Sequence, residues 1–128
     1  MHHKCRSPTV IPLYGITKGP NGNGYAMVIK HAKHGDLRNY IRKFTKLTWT
    51  DKVKILIEIS KALNSLHELN ILHRDFHCKN ILVDDENKVF IVDFGLCIPA
   101  DSKIGTSILF VLVKCISKNL YIFIKYKF

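Results

Sequence analysis

The sequence predicts an α+β fold. Two pairs of short apolar runs, one early and one late in the chain, each close on a turn signal and read as hairpins. Between them lies a segment of about twenty residues whose apolar positions recur with helical spacing. Apolar residues make up 47% of the 128-residue chain, enough for a modest core and against disorder as the default.

Met1 to Thr9 is polar and mixed and reads as a lead-in loop. Val10–Ile16 reads as a strand, with Pro12 demoting it toward an edge or a bulge. Lys18 to Gly24, rich in Gly, Pro and Asn, is a dense turn signal, and Tyr25–Ile29 is the returning strand. Gly22-Asn23-Gly24 invites a phosphate-loop reading, but Met27 stands where a third glycine belongs, so the hairpin turn is preferred. Lys30 to Gly35 has no periodicity. Asp36 then precedes a short helix, Leu37–Phe44, and is placed to cap it.

Thr48-Trp49-Thr50-Asp51 has the form of a capping box, and the helix it opens is expected to reach about Leu69. Val53, Leu56, Ile59, Leu63 and Leu66 mark one face; Ile55, Ile57 and Ala62 widen it, predicting burial on more than one side. Lys52, Lys54, Glu58 and Lys61 break the run well short of the ~18 apolar residues of a membrane span. After it, Ile81–Val83 and Lys88–Val92 flank the polar turn Asp84-Asp85-Glu86-Asn87, the second hairpin.

Formal charge is +10 and unevenly spread. Residues 1–102 hold fifteen Lys and Arg against ten Asp and Glu, whereas residues 103–128 hold five Lys and no acid. The basic residues are dispersed, so nucleic acid is not the expected partner. Cys5, Cys78, Cys97 and Cys115 form no Cys-x-x-Cys pair and no secretory signal opens the chain, which argues against a disulfide framework or a zinc site and for a reducing, cytoplasmic setting.

The chemistry concentrates around the second hairpin. Asp75 and Asn80 lie just before it and Asp93 just after it, and a hairpin returns the chain, so the three can meet at one edge. Phosphoryl transfer needs little covalent help from a protein: divalent metal on the phosphates and a carboxylate beside the attacking hydroxyl. Magnesium prefers hard oxygen ligands of the kind Asn80 and Asp93 offer.

His73-Arg74-Asp75, four residues, Asn80, then Asp93-Phe94-Gly95 resembles the catalytic loop and metal motif of protein kinases, and the helix and hinge stretches look most similar to the tyrosine-kinase-like group. The resemblance covers about residues 9–104. It implies a partial two-lobed kinase-like fold: the last strands of the small lobe, a hinge at Lys30–Gly35, then the first helices and catalytic hairpin of the large lobe. It implies ATP and magnesium as cofactors and a protein Ser, Thr or Tyr hydroxyl as acceptor. Asp75 matches the base, Asn80 and Asp93 the metal ligands, and Lys79 a contact to the transferring phosphate. Ile29 matches the residue guarding the back of the nucleotide pocket, the backbone of Lys30 and Ala32 the adenine edge, and Leu82 the floor under the ring. Asp36 matches a ribose contact as well as a cap. His73 is expected to be structural, Arg74 to clamp a phosphate or pair with a local carboxylate such as Asp93, and Phe94 to pack in the core.

The pattern departs from the family in places. His77 stands where many Ser/Thr kinases carry Lys, which leaves the acceptor class open. No glycine-rich phosphate loop, no lysine that pairs with the phosphates and no Ala-Pro-Glu is found, so the chain reads as a kinase domain truncated at both ends. Residues 1–104 are the kinase-like part. Residues 105–128 are an apolar, basic tail, rich in residues with A/T-rich codons, that looks like translated intron or a shifted frame; Ile108–Val113 is six apolar residues in a row but too short for a membrane span. Ser102, Thr106 and Ser107 are candidate phosphorylation sites. Two functions remain open: a phosphotransferase impaired in this chain alone, or a catalytically dead pseudokinase serving as a scaffold.

Overall fold

The computed structural model describes residues 7–19 and 21–100, together with the backbone of two short strands in the tail. The predicted α+β class holds. Strands β1 (Leu13–Lys18) and β2 (Tyr25–Ile29) form an antiparallel hairpin. Helix α1 (Leu37–Lys43) and helix α2 (Trp49–Glu68) follow. Strand β3 (Ile71–Leu72) pairs with β6 (Ile98–Pro99), and β4 (Ile81–Val83) pairs with β5 (Val89–Ile91). In the tail, β7 (Val111–Leu112) pairs with β8 (Phe123–Ile124). Ser102, Thr106 and Ser107 lie outside the described residues.

The first hairpin begins three residues later than its apolar pattern suggests. Val10 instead bridges Ile91 in parallel, with Ile11 N–H on the Ile91 carbonyl (3.2 Å) and Ile91 N–H on the Thr9 carbonyl (2.8 Å). Pro12 explains the break: it has no N–H to give a ladder, and its carbonyl takes the Lys30 N–H at 2.9 Å. Residues 9–11 therefore extend the second hairpin, and β1 starts beyond the proline. At the β1–β2 turn Gly22 and Gly24 both adopt φ near +72°, the left-handed backbone for which glycine carries no Cβ penalty.

Both helix starts are built as the sequence implies. Asp36 accepts the Asn39 N–H (2.9 Å) and caps α1, whose last turn carries Arg42 and Lys43 against the negative end of the helix dipole. Thr48 and Asp51 cap each other's backbone at α2. The buried face of α2 differs from the expected one: Ile55, Ile59, Ala62, Leu63 and Leu66 are buried, Val53 and Leu56 only partly so, and Ile57 is 49% exposed. Burial on several sides is thus corrected to one stripe, spaced i, i+4, i+7, i+8, i+11, because β3, β5 and the β4–β5 turn pack against that side. That stripe meets Val83, Val89, Ile91 and Phe94 in the main core. No helix among the described residues is long and apolar enough to cross a membrane. Cys78 is disulfide-bonded, against the expectation from cysteine spacing, while Cys97 is buried with its Sγ 3.5 Å from the His73 carbonyl.

Candidate active site

Strand β4 organises the site. Asn80 immediately precedes it, Leu82 is its middle residue, and Asp84 immediately follows it. The chain from Lys30 to Asp36 runs alongside: His34 N–H reaches the Val83 carbonyl (3.0 Å), Val83 N–H reaches the Gly35 carbonyl (2.8 Å), and Asp36 bridges Leu82. Asp36 and Leu82, one predicted for the ribose and the other for the base, are therefore direct neighbours.

At the start of β4 the buried Asn80 is held rigidly. Its Nδ2 donates to the Asp75 carbonyl (3.0 Å) and to Asp75 Oδ2 (3.3 Å), and its own carbonyl accepts the Val92 N–H (3.0 Å). One residue thus joins the loop carrying Asp75 to the strand end carrying Asp93. Asp93 is exposed, at φ +62°, and its Oδ1 takes the Gly95 N–H at 3.3 Å. A Cβ at Gly95 would sit 3.2 Å from that oxygen, so the glycine leaves room for the carboxylate. Asp93 and Arg74 (φ +64°) are both in left-handed backbone, as are the turn residues Asn70, Glu86 and Asn87.

His73 ties these parts together from below. It is buried, with Phe76 and Phe94 rings against it. Asp75 N–H donates to Nδ1 (3.3 Å), so Nδ1 is the acceptor and Nε2 carries the proton it gives to the Val92 carbonyl (2.9 Å). Burial pushes its pKa below the usual 6.5; the Val92 bond and the nearby Asp75 and Asp93 charges pull the other way. The expected structural role fits this geometry. His77 is a neighbour that the sequence did not single out for contact: its Nε2 lies 3.6 Å from Asp75 Oδ1, while its Nδ1 accepts the Lys79 N–H (3.3 Å). The Lys79 side chain is exposed. Among the described residues Arg74 forms no ion pair with Asp93.

Toward the other end, Ile29 closes β2, paired with Leu13 and 38% exposed. The Lys30 N–H is engaged by Pro12 and the Ala32 carbonyl by the Gly35 N–H (3.1 Å). Both Asp36 oxygens are taken by Asn39, at 2.9 Å from its N–H and 2.6 Å from Nδ2, so capping is the role the geometry displays. Asp84 is the residue that sequence reasoning passes over as a turn carboxylate. Its Oδ2 binds Lys30 Nζ at 2.5 Å and its Oδ1 takes the Lys33 N–H at 3.2 Å. Chiefly through Lys30, its pKa falls from 3.8 to about 2.

Among the described residues no three His, Cys, Asp or Glu side chains cluster as a self-sufficient metal site. A divalent ion would take Asn80 Oδ1 and the Asp93 carboxylate and complete its shell with water and ligand oxygens, which is the habit of magnesium. The hard oxygens, the oriented amide and the space beside Gly95 fit that ion. A separate cavity of about 310 Å³, lined by Lys43, Phe44, Thr45, Lys46, Leu47 and Asp51, shares none of these residues.

A family model described as protein tyrosine and serine/threonine kinase matches residues 1–107. The chain is 32% identical over 95 residues, 74% of its length, to a RasGEF domain-containing serine/threonine-protein kinase of Dictyostelium discoideum. It is 38% identical over 103 residues, covering 68% of the chain, to fibroblast growth factor receptor 2 of Dugesia japonica. It is 34% identical over 99 residues, covering 74% of the chain, to receptor-interacting serine/threonine-protein kinase 2 of Bos taurus. These alignments span only 10%, 11% and 18% of those proteins. Motif, fold and relatives agree, and the chain belongs to the protein kinase family.

Proposed function

We propose that this chain carries the catalytic loop, the metal ligands and the adenine contacts of a site that transfers phosphate from ATP, with magnesium, to a protein Ser, Thr or Tyr hydroxyl. The observation that carries this reading is Asn80, whose side-chain NH2 holds the Asp75 carbonyl and carboxylate while its backbone accepts from Val92, next to Asp93. Asp75 is partly exposed, and its carboxylate takes the proton of the attacking hydroxyl. Asn80 Oδ1 and Asp93 hold the ion, which when bound neutralises charge on the phosphates. Lys79 reaches the transferring phosphate. The Lys30 carbonyl and the Ala32 N–H, the groups outside the bonds described above, meet the adenine edge, with Ile29 behind it and Leu82 beneath. Asp36 keeps its cap and is the nearest carboxylate to a ribose.

The test is nucleotide affinity measured by calorimetry with and without magnesium. The expected result is magnesium-dependent ATP binding that falls at least tenfold in Asp93→Asn, which keeps the shape and removes the charge. Loss of phosphotransfer in Asp75→Asn with ATP affinity retained separates the base from the ligands. No binding at millimolar ATP would end this reading. The scaffold reading would then be the better one, and the apolar side chains that β1–β2 exposes, Tyr14, Ile16, Tyr25 and Met27, favour it as a surface.

A further inference from the structure

We infer that Asp84 is a positioning residue of the nucleotide site, clamping the adenine-binding backbone to the same strand that presents Asn80. The inference rests on the assignment of Lys30 and Ala32 to adenine made above.

Asp84 spends its two oxygens on two different parts of the hinge. Oδ2 binds the Lys30 ammonium and Oδ1 binds the Lys33 N–H. Ala32 lies between those two anchored residues, so the direction of its N–H is set from both sides. The carboxylate is itself fixed: its own N–H is held by the Lys88 carbonyl at 2.8 Å, which closes the β4–β5 turn. The Lys30 ammonium also rests 4.8 Å from the centre of the Phe90 ring, so it is guided toward Asp84 by an aromatic face. The pair is sheltered, with side-chain exposures of 34% for Lys30 and 13% for Asp84. Shelter matters because exposed pairs hold geometry weakly. The neighbouring Lys33–Asp85 pair, at 2.9 Å with both partners more than 60% exposed, is such a weak one and serves as the internal control.

The clamp has a reach that a surface ion pair lacks. Lys30 N–H is bound to Pro12 at the edge of the first hairpin, and Lys30 Nζ to Asp84 at the end of β4. One residue therefore spans the junction between the first hairpin and the catalytic hairpin. Loss of the Asp84 charge releases the Lys30 ammonium and weakens the hold on the Lys33 N–H, and an adenine edge between those two residues loses its register.

The experiment is calorimetric titration of the 128-residue chain with adenosine, which reports the base contacts without phosphates or metal. Asp84→Asn is expected to weaken binding about tenfold, the loss typical of one charge-assisted hydrogen bond. Asp85→Asn is expected to leave it within about twofold. Lys30→Met should match Asp84→Asn, add nothing to it in the double variant, and be rescued in Lys30→Arg. Stoichiometry guards against a merely structural effect: partial unfolding lowers the number of sites, whereas hinge displacement raises Kd at full occupancy. Should Asp84→Asn unfold, Lys30→Met against Lys30→Arg reads the same clamp from its other partner. Adenosine affinity unchanged in folded Asp84→Asn or Lys30→Met overturns the clamp and leaves the adenine assignment intact. Absence of adenosine binding in the parent chain overturns the assignment and the clamp with it.

Discussion

The two main hairpins are made of similar residues and meet opposite fates. Strands β1 and β2 present Tyr14, Ile16, Tyr25, Met27 and Val28 to solvent, with Tyr25 at 83% exposure. Strands β4 and β5 bury Ile81, Val83, Val89, Phe90 and Ile91, the last at 0%. Neither alternation nor residue type separates them. What separates them is what lies alongside: α2 packs on β5, α1 reaches β4, and residues 9–11 add a further backbone partner to Ile91. The site follows the same division. Every residue proposed for catalysis or metal borders the covered hairpin, where positions are over-determined, while Ile29 sits at the rim of the open one. Cover around a hairpin, more than its own composition, makes it fit to hold a site.

That contrast can be broken most strongly in the core. Ile91→Ala is expected to cost about 2–5 kcal/mol, whereas Ile16→Ala should stay within about 0.5 kcal/mol. Urea midpoints of the two variants check this, and equal costs would mean that both hairpins are covered in solution.

A smaller effect comes from the histidine that pins the covered hairpin from below. Burial depresses the pKa of His73, and of His67, relative to 6.5 in the unfolded chain. The unfolded state therefore binds more protons as pH falls through 6.5, so stability must decline from about pH 7.5 to about pH 5.5. Urea unfolding at the two pH values reads it, and stability that rises on acidification would contradict neutral burial. The smallest effect expected is at the helix that covers β5. Thr48→Ala removes one half of the capping box and should lower stability by about 1 kcal/mol, seen as a shift in thermal midpoint. No shift would mean that packing alone starts α2.

Much of the local architecture is legible in the residues themselves. The β4–β5 hairpin, the span of α2 and both caps are local events, written in short-range chemistry: Thr48 with Asp51, Asp36 with Asn39, a polar turn at residues 84–87. The grouping of Asp75, Asn80 and Asp93 follows from the hairpin's return. What the sequence hides is long-range. Val10 is legible as apolar but not as a partner of Ile91. Ile57 is legible as a helical hydrophobe but not as an exposed one. Asp84 looks like any turn carboxylate because Lys30 is 54 residues away along the chain.

By itself, then, the sequence determined the two main hairpins, the two helices with their caps, and the catalytic motif, because backbone hydrogen bonding and capping act over a few residues. Only the tertiary structure decided which hairpin is covered, which face of α2 is core, and that β4 carries Asn80 and Leu82 and ends at Asp84. Burial and charge pairing depend on which segments meet in space, and that meeting is a property of the whole fold.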